Sequence, residues 1–175
     1  MNKENSPQNR PELSQAILHM VEDGGENFLR YLRNVGLSSE PNLLVLSPTH
    51  HYYYDESDLR SVRTLVNLKK LNMVRHLDRF LHNLYRILPP DANFIGCFSD
   101  TNAHKVKTSK SYHSAGLLNS FRNFLDSITE DRMTRNEVSE ILKTHGFKVV
   151  DMTEMNGLTF FYSQNVRRPS ERKAC

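Results

Sequence analysis

Cysteine is nearly absent. Cys97 and Cys175 are the only two in 175 residues, too few for a disulfide framework or, by themselves, for a zinc site. Long apolar runs are missing as well. No stretch approaches the roughly 18 consecutive apolar residues of a membrane span. The opening MNKENSPQNRPE has no apolar core of the kind a secretory signal needs. These absences predict a soluble, cytoplasmic chain with no membrane role. Glycine is also sparse: seven residues, at 24, 25, 36, 96, 116, 146 and 157, of which none forms G-x-G. A backbone that must approach a phosphate or a nucleotide closely usually relies on such a pair.

What is present fits one globular domain. Hydrophobic residues make up 38% and charged residues 25%, and the apolar positions recur with a period instead of being evenly diluted. The net charge is +3. The last ten residues, VRRPSERKAC, hold Arg167, Arg168, Arg172 and Lys173 against Glu171 and so carry the whole surplus. A surplus confined to a terminus argues against nucleic acid as the main partner, and leaves binding through that tail as one alternative.

Three stretches divide the chain. Residues 1–10 read as a disordered tail, 11–165 as a single domain, and 166–175 as a flexible basic tail. Within the domain, residues 11–36 give two helices. Leu13, Ala16, Ile17, Met20 and Val21 share one face, and Phe28, Leu29, Leu32 and Val35 another, with Gly36 as the stop. The apolar run at 42–46, closed by Ser47-Pro48, predicts a strand covered on both faces. Leu59, Val62, Leu65 and Val66 suggest a short helix or an ordered connection. A wide apolar stripe from Val74 to Leu88, ended by Pro89-Pro90, predicts the clearest helix. Strand 93–98 follows and completes a right-handed βαβ unit. After a polar loop and a helix through Leu117–Ile128, Thr134 and Glu137 form a capping box. Residues 147–154 and 158–163 then form a hairpin about Asn156-Gly157.

This order of elements resembles the C-terminal half of class I, S-adenosylmethionine-dependent methyltransferases. The supporting segments are the helix LDRFLHNLYRILPP, the strand ANFIGCFSD, the strand GFKVVDM after the capped helix, and the final strand NGLTFFYSQ. The resemblance covers residues 42–165. It implies an α/β fold: a partial Rossmann-like methyltransferase fold with an about four-stranded mixed sheet and flanking helices. It does not extend to the glycine-rich turn and the acidic strand end that hold the cofactor in that family, so no cofactor is expected. S-adenosylmethionine enters only if the chain is an enzyme after all.

Two candidate sites follow. The resemblance places the loop after strand 42–46 where the family directs groups at the methyl acceptor. Here that loop offers Ser47, Thr49, His50, His51, Tyr52, Tyr53, Tyr54 and Asp55. Adjacent histidines beside acidic residues can act as base and acid, and three tyrosines suit a hydrogen-bonding interface. No ligand spacing for a metal accompanies them. The second site is Ser99 and Asp100, at the strand end where open α/β sheets bind ligands. Cys97 reads as core. Together these features predict a truncated methyltransferase-like protein without independent catalysis, acting in binding or homo-oligomeric assembly. Strand 42–46 would lack a neighbour on one side, which points to a homodimer or another protein chain. An active methyltransferase, with a partner chain supplying the cofactor site, is the main alternative.

Overall fold

The computed structural model describes residues 15–47, 59–101 and 132–167. Within them, α1 (Gln15–Glu22) and α2 (Glu26–Asn34) precede β1 (Leu43–Leu46). Then come β2 (Thr64–Asn67), a single 3-10 turn at Leu71–Met73, and α3 (Leu77–Ile87). The chain continues through β3 (Asn93–Phe98), α4 (Arg135–Thr144), β4 (Phe147–Met155) and β5 (Leu158–Asn165). The strands form one five-stranded sheet in the order β1-β2-β3-β5-β4. β1, β2 and β3 run parallel, whereas β5 is antiparallel to both β3 and β4.

The fifth strand is β2, and it corrects the expectation of a helix or connection across 59–66. Leu59, Val62, Leu65 and Val66 do recur at helical intervals. But Thr64, Leu65, Val66 and Asn67 are all buried, so the segment has no solvent face for a helix to present. A β-branched run covered on both sides is a central strand. The correction moves the βαβ unit: the strand feeding α3 is β2, not residues 42–46, and β2 lies between β1 and β3. The helix expected through Leu117–Ile128, the tail at 1–10 and residues 168–175 lie outside the described residues.

Alternation along the strands builds two cores, one on each face of the sheet. Leu65, Phe94, Phe98 and Phe161 pack with Leu81, Leu84 and Leu88 of α3 and with Val138 and Leu142 of α4. On the other face, Val45, Val66, Ile95, Cys97 and Phe160 meet Ile17 and Met20 of α1 and Phe28, Tyr31 and Leu32 of α2. Cys97 is 1% exposed and sits in this second core, a small apolar filler. Gly96 leaves room for the Phe161 ring: an added Cβ would lie 2.5 Å from its Cζ.

β4 changes faces partway along. Val149 pairs with Ser163 and Asp151 with Tyr162, so Val150 is an extra, exposed residue, a β-bulge. The shift turns Asp151 and Met155 toward the α2 side, and Tyr31 donates its hydroxyl proton to Asp151 Oδ2 at 2.7 Å. Burial, and then this bond to Asp151, push the Tyr31 phenol far above its ordinary value. A phenol that holds its proton more tightly when folded adds stability that is complete below about pH 10, the value of an unfolded tyrosine, and is lost as pH rises beyond it. Tyr31→Phe is expected to cost about 1–2 kcal/mol at neutral pH and to flatten the alkaline decline in urea-unfolding stability. An equally steep decline in the variant would show that another group drives it.

Candidate functional site

The three parallel strands β1, β2 and β3 end on the same edge of the sheet, where a ligand meets an open α/β fold. β1 ends at Leu46 and half-buried Ser47. β2 ends at Asn67, 4% exposed, whose Nδ2 donates to Lys69 O at 2.8 Å. β3 runs out at Ser99 and Asp100, and the Ser99 N–H donates to Asn72 Oδ1 at 3.2 Å. That bond fixes the Asn72 amide, leaving Nδ2 buried with no hydrogen-bond partner among the described residues.

Asp100 is drawn inward rather than presented. Its side chain is 1% exposed, and Arg135 Nε reaches its Oδ2 at 3.1 Å while Arg135 Nη2 reaches Glu154 Oε2 at 3.3 Å. Thr159 Oγ1 lies 3.4 Å from the same Asp100 oxygen. A local sequence rule places Arg135. Thr134 caps α4, accepting from the Glu137 N–H at 3.2 Å while Glu137 Oε2 accepts from the Thr134 N–H at 2.7 Å. The Thr134 backbone N–H, and after it the Thr134 hydroxyl that donates to Glu137 Oε2 at 2.9 Å, hold the Glu137 carboxyl below the ordinary range. Met133, just ahead of the cap, exchanges backbone bonds with Ser99 and Thr101 and ties α4 to the end of β3. Arg135 is therefore set over Asp100 by the start of its helix. Thr134→Ala is expected to cost about 1 kcal/mol, measured by urea unfolding; a change under a few tenths would mean that the cap bears no load.

A cavity of about 330 Å³ lies here, lined by Asp100, Thr134, Arg135, Asn136 and Glu154. Its chemistry is that of a closed ion triad. The Asp100 carboxylate is engaged by a guanidinium and a hydroxyl, and Arg135 is paired on both sides. Among the described residues no group of His, Cys, Asp and Glu could hold a metal ion, and no helix is long and apolar enough to cross a membrane.

Of the residues singled out in the sequence, Ser99 and Asp100 do stand at the C-terminal end of β3. Ser47 stands at the end of β1, on the sheet's edge and not before the crossover helix. Thr49, His50, His51, Tyr52, Tyr53, Tyr54 and Asp55 lie outside the described residues. Because β2 feeds α3, the strand end ahead of the crossover helix is Asn67 and not Ser47. Asn67 and Asn72 were missed because β2 was not recognised as a strand. Arg135 had a usable signal, the first helical position after a capping box.

No family model matches this chain, and no curated protein matches it. Solved structures do. One is a chain of the Haloferax volcanii complex that joins the Trm112 methyltransferase activator to a methyltransferase. It is 12% identical, with a TM-score of 0.50, over 83% of this chain and 79% of that one. An S-adenosylmethionine-dependent methyltransferase of Thermotoga maritima is 14% identical, over 76% of this chain and 69% of that one, with a TM-score of 0.42. One from Aquifex aeolicus is 17% identical, over 78% and 61%, with a TM-score of 0.40. At these identities the likeness is one of fold: α/β, Rossmann-like, with the mixed sheet of methyltransferases.

Proposed function

We propose that this chain is a methyltransferase-like protein without catalysis of its own, acting by binding or by assembly. The observation that carries the reading is the state of Asp100. Among the described residues it is the sole carboxylate at the C-terminal ends of β1, β2 and β3, and it is sealed beneath Arg135. A carboxylate that grips ribose hydroxyls has to face the ligand with free oxygens. The sequence adds that no G-x-G turn is available to let the backbone approach an adenosyl nucleotide. The described residues therefore offer S-adenosylmethionine no such grip, and no reaction step is routed through it.

Assembly is the second half of the reading. β1 is an edge strand of four residues, paired with β2 on its inner side, and a second copy adding along that edge would extend the sheet. The fold relative from Haloferax volcanii stands in a complex with an activator protein, and a partner chain is the corresponding alternative here. A dimer mass in light scattering supports the homodimer; a monodisperse monomer at all concentrations removes it.

Calorimetric titration with S-adenosylmethionine and with S-adenosylhomocysteine tests the catalytic half. No saturable heat is expected from either. Binding at micromolar strength would instead favour the enzyme reading.

A further inference from the structure

The charge of this protein is balanced in sum but not in space. Between Leu59 and Leu88, the stretch that holds β2 and α3, basic residues are opposed by one acidic residue, Asp78. Arg60, Arg63, Lys69, Arg75, Arg79 and Arg86 are all exposed, and none has an ion-pair partner among the described residues. Lys70 adds a seventh positive charge. Asp78 itself leans toward His145, the residue that caps the C-terminus of α4, at 3.6 Å. The positive surplus read in the sequence as a property of the tail is thus only part of the picture, because acidic residues elsewhere cancel a basic surface on the folded domain.

The surface has a direction. Arg79, His82 and Arg86 follow one another at intervals of three and four and lie exposed along one stripe of α3. The eleven-residue helix is about 16 Å long. Lys69 and Arg75 are exposed in the segment between β2 and α3, at the C-terminal edge of the sheet. Arg60 and Arg63 lie at the opposite edge, ahead of β2, with Arg86 near the helix's C-terminal end.

We infer that this face binds the phosphate backbone of nucleic acid. Five of these six exposed cations are arginine, whose guanidinium matches phosphate oxygens in pairs. Arg79, His82 and Arg86 set such donors in a line along α3, as a strand of regularly spaced charges requires. Among the described residues this surface has no apolar centre of the kind a specific protein interface buries, and Met73 is their one exposed large apolar residue there, too little to insert into a bilayer. Nor do the described residues show there an exposed aromatic ring on which a base could stack. Recognition is therefore of backbone and not of sequence.

Fluorescence anisotropy with full-length protein and a labelled duplex of about 20 base pairs of random sequence, DNA and RNA in turn, tests this. Binding is expected with log K falling by about 0.9 per neutralised phosphate for each unit of log salt, a slope of about −4 for four to five contacts. The exposed triple variant Arg75→Gln, Arg79→Gln, Arg86→Gln should bind at least about 10-fold more weakly and reduce that slope by about 2–3. Lys143→Gln with Lys148→Gln, on α4 and β4, should change neither. Circular dichroism melting confirms that the variants fold. The inference is overturned if the triple variant binds like the parent, if deleting 168–175 alone abolishes binding, or if neither duplex binds at about 50 mM salt. It is equally overturned if vesicles of phosphatidylserine and phosphatidylcholine bind while the duplexes do not.

Discussion

Gly96→Val is expected to be the most damaging single substitution, costing about 3 kcal/mol or more. Gly96 lies in the centre of β3, paired with Phe161 on β5, and the Phe161 ring occupies the space a side chain would need. A Cβ there would fall 2.5 Å from Cζ and 2.7 Å from Cε1. The ring cannot easily retreat, because it packs against Phe94 with centroids 5.3 Å apart in the larger core, and close-packed interiors relax little. Phe161→Ala alone leaves a cavity worth about 3–5 kcal/mol. The two changes should offset each other when combined, since the branched side chain then enters space the ring has vacated. A double-mutant cycle in urea should give a coupling of at least about 1 kcal/mol. Strict additivity would mean that the glycine is required for some reason other than this contact.

Arg167→Ala is the second large effect. Arg167 belongs by sequence to a string of basic residues at the end of the chain, and that is how it first reads. In the fold it is 9% exposed. Its guanidinium donates through Nη1 to Arg86 O and through Nη2 to Leu88 O, the latter at 2.7 Å, and lies 5.8 Å over the Tyr85 ring. Asn165 Nδ2 donates to Tyr85 O and Leu88 O as well. Side chains that follow β5 therefore satisfy the carbonyls that α3 leaves open at its C-terminus. Removing the guanidinium takes the donor from Arg86 O, leaves Leu88 O with Asn165 alone, and should cost about 2–4 kcal/mol, or roughly 5–12 °C of melting temperature for a chain of this size. Lysine in its place keeps the charge but lacks the planar fork that reaches two carbonyls together, so Arg167→Lys should recover less than half. Full recovery by lysine would assign the effect to charge alone. Any deletion meant to probe the terminal basic residues has to begin after Arg167, or it measures this cap instead.

The legible parts of the sequence were those where local chemistry and tertiary position agree. Thr134 and Glu137 form the capping box the spacing predicts. Asn156 and Gly157 both have positive φ and turn the hairpin tightly. The strand at Asn93–Phe98 has the predicted bounds. What was hidden depends on neighbours. Thr64–Asn67 is too short for its period to distinguish strand from helix, and only burial on both faces settles it. Arg167 shows nothing in the sequence of the carbonyls that hold it, because those lie on α3. The same holds for the site. Asp100 was marked by its place at a strand end, whereas its closure under Arg135 needs α4 to fold back onto β3. The uneven charge was hidden by the sum, since acidic residues outside 59–88 cancel it.

Hydrogen exchange with and without saturating S-adenosylhomocysteine tests most directly whether this fold holds an adenosyl nucleotide. The amides at the outgoing ends of β1, β2 and β3, namely Ser47, Leu68 and Ser99 to Thr101, are where such a ligand would confer protection. Superimposable exchange curves at those positions are the predicted result. Slowed exchange there in the presence of the ligand would contradict the account and return the protein to the enzymes.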